Sequence, residues 1–566
     1  MSGDRHGALS DGAVLALIGC LLGVEGVLWL WGGLAGVIFG SGWPRMGVGQ
    51  LVVVLIRLPA RLTDPALAWP SVARDRLPGP AGFYASLGLL AAGGVAVAML
   101  AERAGTGLRS GAGARWARSG ELARLRRRPR SARAGRLVLG RQGRRLLCAE
   151  HRHALIAFGP PQSGKSAGIA VPALLEWNGP AVASSIKTDL LSATRARREA
   201  LGKVLVFDPF GLAQTHSHTW SPLHGAHTWD GALEVAWRLA AAGELDRRGV
   251  EGGDFWAVAA EQRLAPLLYA AAAGGADMDS VVRWVHGQGA RELDETLARI
   301  TGEAQDDALL AGAHAAYDAV RAFETQADRT RTSIEATAQT LLRAYRFQRV
   351  VRSAAASEIT ADRVLDGTTL YLIGDAKASK LLRPLFLALL GEIVDRAYER
   401  ATLAGGALES PLLLCLDEAG NVAPLPHLAE IASTAPSHNI QLVTIFHDLA
   451  QARSRYGQQA ETVVNSHRAR MLLPGVADLE TLRYFAGLIG DEEARDRTHT
   501  TGAGGTTRSM SRRRRPLIAP EALRQLPDGH ALLLYGRIPP TRIRLRRWFE
   551  DHRLRKLARG VRRGAS

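Results

Sequence analysis

Cysteine is almost missing from this chain: Cys20, Cys148 and Cys415 are the three among its 566 residues. They stand far apart, so no metal-ligand spacing arises and a disulfide framework is excluded. They read as isolated thiols in a reducing or buried setting. Aromatic residues make up 6% of the sequence, and no basic cluster has them interleaved for base stacking, so any nucleic-acid contact is expected to be sequence-independent and salt-sensitive. Acid is short as well, with 54 Asp and Glu against 71 Lys and Arg, and arginine far outnumbers lysine. A formal charge of +17 and a pI near 10.5 point to nucleic acid, an anionic membrane surface, or both, beside any general arginine richness of the proteome. Strand-like runs fail between residues 224 and 350, a stretch rich in Ala, Leu, Arg and Glu. Basic bias is lacking in the opening "MSGDRHGALSD", and the apolar run behind it is too long for the core of a cleaved signal peptide.

Long apolar runs are present. Residues 12–40 are apolar apart from Glu25, and residues 81–101 carry no charge. A bilayer core takes about 20 helical residues, so 1–104 is expected to be a two-helix transmembrane anchor. Glu25 suits an intramembrane function or packing against another subunit, and packing is the favoured reading. The shorter "LVVVLI" (51–56) suits the interface. Dense arginines after residue 101 place that side in the cytoplasm by the positive-inside rule; the five arginines of the 41–80 loop weaken the contrast without reversing it. The expected location is the cell membrane, crossed twice.

The segment "FGPPQSGKSAG" (158–168) fits a phosphate-binding loop, with Gly159, Gly164, Lys165 and Ser166 at the required places. A short apolar run precedes it and a helical run follows, with a kink expected at Pro172. Backbone N–H groups from Gly159, Pro160, Pro161, Gln162, Ser163, Gly164, Lys165, Ser166 and Ala167 form the cradle, less those the prolines lack. Lys165 is the candidate for the β- and γ-phosphates and Ser166 for Mg²⁺. Downstream, "SPLLLCLDEAGNV" (410–422) is an apolar strand ending in Asp417 and Glu418. Asp417 is the second Mg²⁺ candidate and Glu418 the group that polarises water, making Glu418 and Lys165 the catalytic pair. An Asp-Glu pair at a strand end also serves as a helix cap. Further apolar runs at 181–186, 204–208, 368–374, 440–446, 469–475 and 530–536 alternate with helical stretches. They imply an α/β fold with a RecA-like, mostly parallel sheet, interrupted by an all-α insertion at 224–350.

In their joint order these blocks resemble the type IV secretion coupling proteins of the TraG family. The resemblance runs from about residue 10 to about 550, through "GARWA", "GPPQSGKS", "SSIKTDL", "VFDPFG", "LLCLDEAGNVAPLP", "LAQARSRYG", "VVNSHRARMLLPG" and "HALLLYGRIPP". It implies a hexameric, membrane-anchored P-loop ATPase using ATP and Mg²⁺ at the base of a conjugation channel. Such an enzyme receives a relaxase-bound single DNA strand, or a protein substrate, and its helical insertion serves substrate recognition. Two departures stand out. Where the family places an arginine that reaches the neighbouring subunit, this chain has Pro436. Where the family ends the next strand in glutamine, this chain has His447, with Gln451 retained further on. Arg468 and Arg470 are the candidate substitutes for the missing arginine, and His447 is a candidate nucleotide sensor or a plain polar strand end.

The expected organisation is an anchor (1–104), a nucleotide-binding domain in two parts (105–223 and 351–550) around the insertion (224–350), and a basic C-terminal tail (551–566). Of three basic clusters, 124–136 is assigned to lipid headgroups. Residues 506–516 read as a mobile loop touching DNA phosphates or solvent. Residues 542–563 read as partly packed through Trp548 and Phe549. The leading function is ATP-driven delivery of DNA into the channel. The alternatives are a receptor for protein effectors only, an FtsK-like DNA translocase, and an ATP-binding scaffold with little turnover.

Overall fold

A computed structural model describes residues 11–47, 49–105, 113–126, 136–247, 253–502 and 505–560. The chain divides into two units, 1–112 and 113–566. In the first, helices Asp11–Phe39 and Pro80–Gly105 each hold a window long and apolar enough to cross a membrane, Leu22–Phe39 and Pro80–Val97. "LVVVLI" lies in a short helix of its own, Gly49–Arg57. Trp31 donates to the Phe83 carbonyl at 2.8 Å and meets the Trp69 and Phe83 rings edge-on. Gly33 is required where it stands, since a side-chain carbon there would lie 2.1 Å from the Trp43 ring. Glu25 is buried.

The second unit is built on an eleven-stranded sheet. In chain order its strands are β1 (Val138–Gln142), β2 (Arg145–Cys148), β3 (Leu155–Phe158), β4 (Ala181–Ser185), β5 (Val204–Phe207), β6 (Thr369–Ile373), β7 (Leu412–Leu416), β8 (Ile440–Phe446) and β9 (Ala469–Leu472). A separate hairpin, β10 (Asp491–Gly502) and β11 (Gly505–Pro516), follows. The main sheet then resumes with β12 (His530–Tyr535) and β13 (Ile538–Arg544). The spatial order is β2-β1-β13-β12-β9-β3-β8-β7-β4-β6-β5. From β9 to β5 every pairing is parallel, and from β9 outward to β2 every pairing is antiparallel.

Alternate residues of each central strand enter different cores, as the two-residue period of a strand requires. Ile156, Phe158, Leu414 and Leu416 face one side; Leu155, Ala157, Leu413 and Cys415 face the other. Sheets covered on both faces carry such unbroken apolar strands. Helices from Trp229 to Leu365 fill the gap between β5 and β6. The insertion expected at 224–350 therefore runs further, and its apolar residues share one continuous core with a sheet face.

Two segments differ from their expected form. Residues 506–516 are paired strand, not a loop: β10 and β11 match without a break from Asp491↔Pro516 to Gly502↔Gly505. The expected tail holds helix His552–Ala558, whose Leu554 and Leu557 are buried beside the helix after the phosphate-binding loop. Residues 127–135 of the first basic cluster and 561–566 lie outside the described residues.

One buried cation ties the nucleotide-binding half together. Arg198, in helix Asp189–Glu199, donates to Thr369 Oγ1 at 2.7 Å and to the carbonyls of Trp177 at 2.6 Å and Gly179 at 2.5 Å. Burial draws its pKa down to about 10, which leaves it charged at neutral pH. Arg198→Ala strands those acceptors and is expected to cost about 3 kcal/mol. Thermal melting should fall by several degrees, with Arg198→Lys recovering part of the loss.

Candidate nucleotide site

Strands β3, β8 and β7 are adjacent and parallel, so the chain leaves all three at the same edge of the sheet. After β3 comes the loop 159–165, after β7 come Asp417 and Glu418, and after β8 comes His447. Fragments far apart in sequence thus meet because parallel strands share a direction.

The loop is shaped by its glycines. A side-chain carbon at Gly159 would lie 2.5 Å from Ser163 Oγ and 2.9 Å from Leu473 Cβ. Gly164 has φ +89° and Gln162 φ +65°, turning successive amides toward one point as an anion-binding concavity does. The chain then makes a π-helical turn, Ser166–Ala170, before helix Val171–Glu176. Pro172, where a kink was expected, lies just after this π-helical turn. It sits in the first turn of that helix, where a missing N–H costs little.

Ser166 Oγ donates to Asp417 Oδ2 at 2.5 Å. The other oxygen, Asp417 Oδ1, is buried and makes no hydrogen bond. Burial pushes the Asp417 carboxyl up to about 6. Lys165 Nζ lies 2.9 Å from His447 Nδ1, and His447 Nε2 lies 3.8 Å from Glu418 Oε1. Burial, then the Lys165 charge, holds the His447 imidazole below its ordinary pKa, so a neutral ring accepts from the ammonium. Lys165 is itself lowered by burial, against the pull of Glu418 and Asp417. Glu418 occupies the left-handed region, φ +55°, a conformation that costs a non-glycine residue and concentrates at functional sites. Asn421 Nδ2 donates to Glu418 Oε2 at 3.2 Å. Gln451 Oε1 accepts from the His447 backbone N–H at 2.8 Å, and Arg455 donates to the Gly420 carbonyl at 2.7 Å.

The candidate residues of the loop and the Asp-Glu pair therefore meet. Arg468 and Arg470, the candidates for reaching a neighbouring subunit, lie at the start of β9, where Ala469 pairs with Leu155, whereas this chain's own loop follows Phe158 at the other end. Arg470 spends its guanidinium on the Val464 and Asn465 carbonyls, at 2.9 and 3.0 Å. Pro436 is buried in the 3₁₀ turn Ala435–His438. Sequence reasoning missed a strap formed by residues 545–551. Trp548 N donates to the Ala167 carbonyl at 3.0 Å, and buried Arg546 pairs with Glu176 at 2.8 Å and Asp551 at 2.9 Å. Local pattern carries no trace of a contact spanning some hundreds of residues.

Residues 115–562 match the family model described as Type IV secretory system Conjugative DNA transfer. The chain belongs to that family. Relatives include the conjugal transfer protein TraG of Escherichia coli, 24% identical over 402 residues, or 66% of this chain and 61% of TraG. Another is protein VirD4 of Agrobacterium fabrum, 23% identical over 471 residues, or 78% of this chain and 66% of VirD4. The chain thus spans under two thirds of the length of these curated relatives. Among solved structures, the plasmid coupling protein TrwB in complex with ADP and Mg²⁺ shares the fold, with a TM-score of 0.57 and 17% identity over 77% of this chain and 93% of TrwB.

The raised Asp417 pKa has a consequence for stability. Folded Asp417 holds its proton to about pH 6, whereas an unfolded Asp releases it near 4. The unpaired carboxylate thus lowers stability as pH rises from 4 through 6, by about 3 kcal/mol in the limit. Without metal, Asp417→Asn is expected to melt higher than the native chain at pH 7.5. Near pH 4 the difference should vanish.

Proposed function

We propose that this protein is a membrane-anchored ATPase that delivers DNA, as a relaxase-bound single strand, into a type IV secretion channel. It works as a homo-hexamer, held by helices Asp11–Phe39 and Pro80–Gly105, with its nucleotide-binding unit in the cytoplasm. What carries the ATPase reading is the meeting of Lys165, Ser166, Asp417, Glu418 and His447 at one sheet edge. TrwB, solved with ADP and Mg²⁺ and with an ATP analogue, supports the same ligands here.

Ser166 Oγ and the unpartnered Asp417 Oδ1 are hard oxygen donors that fit Mg²⁺. Mg²⁺, when bound, supplies charge neutralisation between phosphate oxygens. Lys165 leaves His447 to donate to those oxygens. Glu418, its carboxylate steadied by Asn421, accepts the proton of the attacking water. His447, between Lys165 and Glu418, is placed to report whether phosphate is present.

The DNA part rests on charge. Successive residues of one strand alternate between faces. The β10–β11 register therefore puts Arg495, Arg497, Arg508, Arg512 and Arg514 on one face of the hairpin, with Asp491 and Glu493 on the same face near its base. A two-stranded ribbon of this kind suits phosphate contact. A second reading, an ATP-binding scaffold with slow turnover, is favoured by Pro436, which cannot supply the charge of a trans arginine.

Turnover of the full chain in detergent, with and without single-stranded DNA, tests the motor. Glu418→Gln is expected to keep ATP binding and to lose about 100-fold or more in kcat; Lys165→Ala should lose binding. Absence of turnover under every condition, with normal transfer in cells carrying Glu418→Gln, overturns the motor reading. DNA affinity should fall steeply with salt. Serine at the five hairpin arginines is expected to flatten that slope by about 0.7 for each phosphate charge left unneutralised, while DNA-free ATPase activity stays unchanged.

A further inference from the structure

We propose that Arg547 is a nucleotide-phosphate ligand, supplied by the same chain through its C-terminal strap; the proposal rests on the P-loop reading above. Arg547 lies alongside the phosphate-binding loop: a side-chain carbon built on Gly164 would come within 3.7 Å of its Nε, and one on Gly529 within 3.6 Å of its guanidinium carbon. Strand β13 runs parallel to β3 through β12 and β9, so its C-terminal end reaches the same sheet edge as the loop.

The strap that presents Arg547 is fixed on both sides. Leu545 Cβ sits 3.1 Å from where a Gly168 side chain would begin, Arg546 is clamped by Glu176 and Asp551, and Trp548 N bonds Ala167. The Arg547 side chain keeps about a fifth of its surface exposed; it also lines an open cavity of about 560 Å³ with Arg141, Arg144, Arg544 and Glu550, to which the phosphate-binding loop contributes no residue. Its acidic partner is Glu550, at 3.3 Å and nearly half exposed. Such an exposed pair contributes little. A phosphate offers the planar fork two oxygens at once and displaces it readily. The chemistry also calls for a further cation: within the loop itself Lys165 stands alone against a polyphosphate, and position 436 provides none.

The test measures ATP and ADP affinity calorimetrically on the full chain in detergent, for the native protein and for Arg547→Ala, Arg547→Lys, Glu550→Gln and Lys165→Ala. Expected are a Kd raised at least tenfold in Arg547→Ala, a smaller rise in Arg547→Lys, and a Kd equal to or below the native value in Glu550→Gln. Nucleotide-free melting should be unchanged. A Kd within twofold of native in Arg547→Ala overturns the proposal. Should that variant melt early, Arg547→Lys decides: a threefold or greater rise supports the role, and an unchanged Kd overturns it. A native chain that binds no more ATP than Lys165→Ala overturns the P-loop reading itself, an outcome distinct from either of these.

Discussion

The parallel pairing of β3 with β8 and of β8 with β7 is the constraint on which the site depends. Phe158 pairs with Phe446, and Leu416 with Thr444, so the three exits lie side by side and within a residue or two of the same height. With strands about 4.8 Å apart, side chains leaving adjacent exits are in hydrogen-bonding reach. Lys165, His447 and Glu418 therefore line up in the order in which their strands lie. The apolar runs that bury the sheet on both faces also hold this register, since a one-residue slip would exchange its two cores.

Buried charge is handled in two ways within the same unit. Arg546 is enclosed by two carboxylates and Arg198 by three carbonyls and a hydroxyl. Each cation has its donors answered, which is what allows a charge to remain inside. Asp417 is treated otherwise: one oxygen takes the Ser166 hydroxyl and the other takes nothing. A satisfied network specifies structure, whereas a costly unsatisfied acid in a cleft marks a place that a ligand completes.

Much of the fold and the site is legible in the sequence. The loop, the Asp-Glu strand, β3 to β9 and β12 all fall where apolar runs and glycine spacing place them, because buried parallel strands have no polar alternation to confuse them. What escapes notice obeys other rules. Strand β13 contains Pro539, Pro540 and alternating arginines, and β1 and β2 are short, each with one arginine. Each pairs antiparallel at the end of the sheet, where one face stays wet. The hairpin is hidden by glycine, threonine and arginine, residues that describe loops as well as exposed ribbons. Contacts of the strap with Ala167 and Glu176 depend on tertiary closure and leave no local signature. Pro436 and His447 stand out in the sequence, but only geometry shows that His447 contacts Lys165 while Arg468 and Arg470 lie at the far end of β9.

The contact between His447 and Lys165 bears on how the site rests. Lys165 is held by a neutral imidazole, and the imidazole in turn approaches Glu418. Burial disfavours the Lys165 charge, and the His447 lone pair offsets part of that cost. Phosphate must therefore replace an existing partner, and the released Nδ1 must find another donor or water. Release of this hydrogen bond at His447 is thereby coupled to the arrival of charge beside Glu418. Gln451 grips the His447 amide and packs on Gly420, and Arg455 holds the Gly420 carbonyl. The His447 ring is thus joined through packed groups to the loop that carries Glu418. A coupling of this kind needs two arrangements of one element, both reachable at low cost. A histidine, with an acceptor and a donor on opposite sides of a small ring, provides both.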